Sequence, residues 1–247
     1  MDFQESLQYP LKDPGGKKKL LISGLFFMPG GLLIVPFLLP VGFALAALRR
    51  VIKGEEDKLP EWEYFADYFK WGLMCAVITF VYGLVPGTLA GLSIVPMLGA
   101  MFGRSAGEGA TLGLVGVLGI ILTILAALLV NFVLPMALTR YATTENLGSA
   151  FAIGEIFGQI RAVMGSYVKF VLLCIGLMIV THILVGLFNL IPLLGVYPTG
   201  VLLTYSWLVL AHYLGRVYRQ HFGSEVSTSI HSTEGVGMNP DRWNQAE

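Results

Sequence analysis

"KKKLLISGLFFMPGGLLIVPFLLPVGFALAALRRVIKG", Lys17 to Gly54, holds an apolar run from Leu20 to Leu48 with no charge inside it, three prolines (Pro29, Pro36, Pro40) and basic residues at both ends. Whether this run crosses a membrane once, or dips in and returns, decides the architecture of everything after it. The tendency of Lys and Arg to stay on the inner face separates the two. A single crossing that keeps the Arg49–Lys70 connection inside leaves Lys12, Lys17, Lys18, Lys19 and Arg104 outside, five of the 16 basic residues; the inverted crossing leaves eleven. A run that folds back leaves only Arg104 outside, with the termini and both long connections inside. A hairpin is therefore expected. At about 1.5 Å per residue, two arms of about a dozen residues reach roughly 18 Å each, short of a hydrocarbon core of about 30 Å. The pair is expected to be re-entrant, with its turn near Met28–Gly31 or Val35–Pro40. Proline has no N–H to leave unpaired and glycine allows a tight turn. One long, kinked and tilted helix stays open as the alternative, because membrane helices tolerate proline.

The rest of the chain suits a bilayer. Of 247 residues, 55% are hydrophobic and 13% are charged, against about 25% charged in a soluble domain, and the mean hydropathy is +0.72. Four further charge-free stretches follow: Trp71–Phe102, Ala110–Thr139, Phe170–Ile191 and Thr199–Leu214. The expected fold is an all-α polytopic membrane protein of three helical hairpins, at about 20–48, 71–139 and 170–214. Each begins after a lysine (Lys19, Lys70, Lys169) and ends with an arginine, and Cys75 and Cys174 each lie five residues after their lysine, as in a weak internal repeat. The membrane domain is expected to occupy residues 1–219, followed by a polar, disordered tail at 220–247. A cleaved signal peptide does not fit, since the first apolar run far exceeds an h-region of about 7–15 residues. The two cysteines have no metal spacing, and no basic face interleaved with aromatics suggests nucleic acid.

Two amphipathic interfacial helices are expected between the hairpins, at about 60–70 and 147–165. In the first, Pro60 suits the first helical position, and Trp62, Phe65 and Phe69 recur at i, i+3 and i+7. In the second, Leu147, Phe151, Ile156, Ile160 and Met164 form one stripe, with Glu155 and Gln159 opposite. The same periodicity serves headgroup anchoring or partner docking, so Trp62, Phe65, Phe69, Phe151, Ile156 and Ile160 are the candidate interface residues.

The pieces "LQYPLKDPGGKKKLLISG", "ALRRVIKGEEDKLPEW", "TRYATTENLGSAF" and "GRVYR" resemble the prokaryotic membrane-protein family called domain of unknown function 4013. The resemblance runs from about Phe3 to Arg219, and its most telling pieces are the Tyr-Pro…Lys-Lys-Leu-Leu start and the acidic Leu-Pro-Glu-Trp block. It implies a polytopic membrane protein and brings no activity, cofactor or catalytic residue with it.

Residues able to carry chemistry are sparse. No Asp, Glu, Lys or Arg lies inside the five stretches, where ion-coupled carriers place such groups. His182 sits at mid-depth and His212 near the end of the last stretch. No cofactor is expected; a tetrapyrrole on His182, or a lipid there or between helices, stays open, with a hydrogen bond to a neighbouring helix as the plainer role. Asn131, four residues before Pro135, is expected to bond across helices. Gly83, Gly87 and Gly91 repeat at a spacing that lets helix backbones approach, for internal packing first and homodimerisation second. No nucleophile elbow, zinc pattern, phosphate loop or carboxylate pair is present, and Glu55–Asp57 reads as a solvated acidic loop.

The expected function is non-catalytic: a scaffold, assembly or accessory subunit of a prokaryotic cytoplasmic membrane, or of an internal membrane derived from it. Both termini would be cytoplasmic. Its partners would be lipid headgroups and other membrane proteins, with a homo-oligomer as a further option. A channel or carrier for a neutral or apolar solute, with helices broken near Pro29–Pro40 and Pro86–Gly87, is the alternative. A lipid-acting enzyme using Glu55, Glu56, Asp57 or His182 comes third.

Overall fold

The computed structural model describes residues 3–27, 34–102, 106–190 and 195–233. They form eight α-helices and one 3-10 turn, with no strand among the described residues. In order these are α1 (Phe3–Lys12), α2 (Gly16–Leu25), α3 (Ile34–Lys53), α4 (Phe65–Phe102), α5 (Ala106–Thr144), the 3-10 turn Leu147–Phe151, α6 (Ile153–Ala162), α7 (Met164–Phe188) and α8 (Val196–Thr233). Among the described residues, three stretches are long and apolar enough to cross a bilayer: Phe65–Phe102, Gly109–Thr144 and Met164–Phe188. The chain has the makeup of an all-α membrane protein.

The opening run folds back. α2 leaves from Lys19 and ends where Phe27 meets Phe37 edge-on at 5.4 Å. α3 carries the chain back, and Leu59 and Trp62 then touch Lys19 itself. The Lys19 ammonium donates to the Leu59 carbonyl at 2.9 Å, and the Trp62 indole N–H donates to the Lys19 carbonyl at 2.9 Å. Ten-residue α2 is about 15 Å long and twenty-residue α3 about 30 Å. The arms are therefore unequal, where two of a dozen residues were expected. Val35–Pro40 is helical, which excludes it as the turn; Met28–Gly31 lies outside the described residues, as does Arg104.

Lys19 is the one buried member of the lysine triplet. Its ammonium sits 2.7 Å from Asp13, both side chains being 7% exposed, and 2.6 Å from Glu61. Asp13 also accepts from the N–H groups of Gly15 (2.8 Å) and Leu59 (3.0 Å). Burial pushes the Asp13 carboxyl up, but Lys19 and the two N–H groups outweigh it and hold it below its ordinary range. A charge buried this way is tolerated only when paired, so the start of α2 and the Leu59–Trp62 segment are fastened together.

The remaining elements build around α3. On one side it meets α4 at two glycines: a Cβ on Gly42 would lie 1.8 Å from the Tyr68 carbonyl oxygen, and one on Gly72 would lie 1.9 Å from that of Leu38. Only hydrogen fits between these backbones. On the other side α3 lies along α8, with Phe37 against Trp207 and Val51 against Gly215. Gly54, in the left-handed region at φ 93°, ends α3: its N–H bonds the Val51 carbonyl and that of Glu55 bonds the Arg50 carbonyl. α7 packs on α8, and α4 and α5 form a long antiparallel hairpin. In its distal half Gly116 lies on Met97 and Gly119 on Ser93. The buried core, which includes Phe43, Trp62, Tyr68, Ile78, Met136, Ile156, Tyr167 and Leu208, gathers at the other end.

Two elements differ from expectation. Leu59–Tyr64 is not helical; α4 starts at Phe65, so no separate interfacial helix spans 60–70. Leu59 spends its N–H and C=O on Asp13 and Lys19, which leaves them unavailable to a helix. The 147–165 segment divides into the 3-10 turn, capped by the Asn146 side chain, then α6 and the first residues of α7. At the carboxyl end α8 continues as helix through 220–233, where disorder was expected, and 234–247 lies outside the described residues.

Gly42→Ala and Gly72→Ala should each lower the midpoint of unfolding in detergent, at a cost of about 2 kcal/mol or more, because the new methyl meets backbone. Gly176→Ala, with nothing within 4 Å of its Cβ position, should leave it unchanged. Lys19→Met should cost about 3 kcal/mol by stranding Asp13. Asp13 is depressed in the fold, so its stabilising share is complete above its unfolded pKa of about 3.9 and is lost as pH falls through the lower folded value. Denaturation curves between pH 7 and 3 should show this slope in the unaltered protein and a weaker one in Asp13→Asn.

Candidate functional site

α1, the turn that follows α3 and the middle of α8 bring charged and polar groups together. Gly54 turns Glu55 and Glu56 toward α8. There Glu56 faces Arg216 at 3.7 Å, pairs with Arg219, and lies 3.5 Å from the His212 imidazole. Arg216 pairs also with Glu5, whose carboxyl it holds below the usual range, and Arg50 pairs with Glu55 at 3.3 Å. His212 lies between α8 and α1: its Nδ1 is 3.0 Å from the Ser6 hydroxyl and its ring stacks on Tyr9 at 4.4 Å. Burial pushes the Tyr9 phenol up, so it stays protonated, and its hydroxyl has no hydrogen-bond partner among the described residues.

Ser6, His212 and Glu56 stand in the hydroxyl–imidazole–carboxylate order used for nucleophilic acyl transfer. Their surroundings argue for a different use. Ser6 and His212 are each 2% exposed, so the hydroxyl has no open face for a substrate, and two guanidiniums neutralise Glu56. What the arrangement does here is clamp α1 and the Glu55–Glu56 turn onto α8. Among the described residues no group of three His, Cys, Asp or Glu could hold a metal ion.

A second network joins the hairpins. Arg49 pairs with Glu145 and lies 4.7 Å above the Trp71 ring. Glu145 is in the left-handed region at φ 54°, a strained position for a residue with a Cβ, and the ion pair helps hold it there. Arg140 pairs with Glu155 and donates to the Ser149 carbonyl, which fastens α6 to the end of α5.

The residues singled out from sequence are scattered through this frame. Trp62 is buried, stacked on Phe43 at 4.4 Å, and Ile156 and Ile160 are buried in the core. All three are corrections to the docking surface, because the apolar stripes turn inward onto the chain itself. Phe65 (45% exposed) and Phe69 (36%) remain at the surface, and Phe151 is half-buried against Tyr82. Gly83, Gly87 and Gly91 meet nothing within 4 Å of their Cβ positions; the internal packing expected of them is made by Gly42, Gly72, Gly116 and Gly119. The Asn131 amide donates to its own helix at Ala127 rather than across helices. His182 is exposed and bonds the Met178 carbonyl of its own helix. α4 is continuous through Pro86, so the break at Pro86–Gly87 on which the channel alternative drew is absent. Glu56, read as part of a solvated loop, is tied into the α1–α8 cluster.

Ser6, Tyr9, Asp13, Lys19, His212 and Arg216 were missed. The usable signal was His212, a polar residue closing an apolar run, together with a start rich in polar side chains that needed partners. His212→Ala should cost about 3 kcal/mol by opening a cavity and should speed tryptic cleavage after Lys12. Ser6→Ala, which removes one hydrogen bond, should cost only about 1 kcal/mol. Melting curves and digestion time courses in detergent check both.

No curated protein and no solved structure matches the chain. One family model, described as "Protein of unknown function (DUF4013)", matches residues 30–190, which takes in α3 to α7 and leaves α1, α2 and α8 outside the match. With that match over more than half its length, the chain belongs to the DUF4013 family.

Proposed function

We propose that the protein is a non-catalytic membrane subunit that presents the α4–α5 hairpin to a helix of another membrane protein. The observation that carries this reading is the open face at Gly83, Gly87 and Gly91. Small residues at four-residue spacing allow backbones to approach within the bilayer, and among the described residues no helix uses them. The neighbouring Phe80, Leu84 and Val95 are also exposed. Further support comes from the charge-free stretches, which hold no Asp, Glu, Lys or Arg for ion-coupled transport. In this proposal the chain is multi-pass in a prokaryotic membrane. The Lys- and Arg-rich ends of the helices, the amino terminus and the end of α8 lie on the cytoplasmic side, and α2–α3 is re-entrant.

A photocrosslinker attached at Gly91→Cys should give discrete adducts in native membranes, and Gly87→Ile in the same chain should reduce their yield about tenfold, a loss of about 1.4 kcal/mol in association. The melting temperature should not move, since nothing surrounds Gly87. Adducts of twice the chain mass would identify a second copy as the partner. Yields unaffected by Gly87→Ile would refute the docking face.

A further inference from the structure

Between α1, α7 and α8 lies an open groove of about 770 Å³. Its walls include Leu172, Gly176 and Val180 on α7, Leu202 on α8 and Phe3 on α1. Three polar side chains in the wall are satisfied within the protein: Thr181 and Ser206 bond each other at 3.0 Å, and the Tyr205 hydroxyl donates to the Leu7 carbonyl at 2.7 Å. Tyr213 and Lys169 apart, the rest of the wall is hydrocarbon. At one end stands Lys169, exposed and without an ion-pair partner among the described residues. From Lys169 to Leu184 the α7 wall is roughly 22 Å long at 1.5 Å per residue, longer than one leaflet's half of a core of about 30 Å.

A hydrocarbon wall longer than one leaflet's half-thickness, with an unpaired ammonium at its mouth, calls for an apolar chain that carries an anion. We propose that the groove binds an anionic phospholipid, with one acyl chain between α7 and α8 and its phosphate paired with Lys169. Lys169 lies at the start of α7, the end that the proposed topology places at the cytoplasmic leaflet, whose surface carries negative charge. The inference uses no residue of the α4–α5 face.

Full-length protein in mild detergent, given equal amounts of phosphatidylglycerol and phosphatidylcholine with identical acyl chains, is read by native mass spectrometry. One phosphatidylglycerol should be retained about fivefold over phosphatidylcholine, the preference one lysine near an anionic headgroup supplies. Lys169→Gln should bring the two lipids level. Gly176→Phe, which fills open space, should lower retention of both about tenfold, and Gly176→Leu serves as the milder filling if the phenyl ring disturbs the fold. Equal retention of both lipids by the unaltered protein overturns the assignment. So does a preference that survives Lys169→Gln, or retention that survives the filled groove. Loss of a dimer on filling, without loss of lipid, would show that the groove takes a second copy instead.

Discussion

A lysine buried against an aspartate determines how this chain begins. An ammonium and a carboxylate that are each 7% exposed cannot be left unpaired without a large penalty, and this pair also takes both backbone groups of Leu59, forty residues beyond Lys19. The segment leaving at Lys19 must return to it. Once Leu59 is fastened there, Trp62 is drawn inward, its indole bonded to the Lys19 carbonyl and its ring laid on Phe43. α4 can then start only at Phe65, from where Tyr68 and Gly72 reach the glycine contacts with α3.

From this base the molecule divides into two physical regimes. At the charged end, buried ion pairs, stacked rings and capped helix ends pack α1, α3, α6 and α8 much as in a water-soluble core. In the distal α4–α5 hairpin these devices give way to small residues, because lipid is as apolar as leucine and helices gain nothing by hiding from it. The exposed leucines and valines there suit a bilayer. The open glycines of α4 are the feature that lipid does not explain, and they carry the functional proposal.

The all-helical class and the helices long and apolar enough to cross a bilayer were legible because charge-free runs of that length report on the bilayer directly. The rotation of each helix was not. Trp62, Ile156 and Ile160 lie on apolar stripes, and a stripe looks the same whether it turns toward a partner or toward its own core. Gly83 and Gly119 are alike in composition, and only the register of α4 against α5 leaves one open and seats the other on Ser93. His182 and His212 both interrupt apolar helices; what separates them is α1, which delivers Ser6 and Tyr9 to one of them from more than 200 residues away. The Tyr-Pro…Lys-Lys-Leu-Leu start, which lies outside the family match, and the Leu-Pro-Glu-Trp block, which lies inside it, are the two halves of one contact.

The fold-back is tested by side-specific labelling of single cysteines in intact cells, with Cys75 and Cys174 replaced by alanine. Probes at Lys18→Cys and Asp57→Cys, both exposed, should react from the same side of the membrane, and Gly107→Cys at the far end of the α4–α5 hairpin should react from the other. Lys18 and Asp57 reporting opposite sides would mean that the first apolar run crosses the bilayer, and the Lys19 contact could not exist.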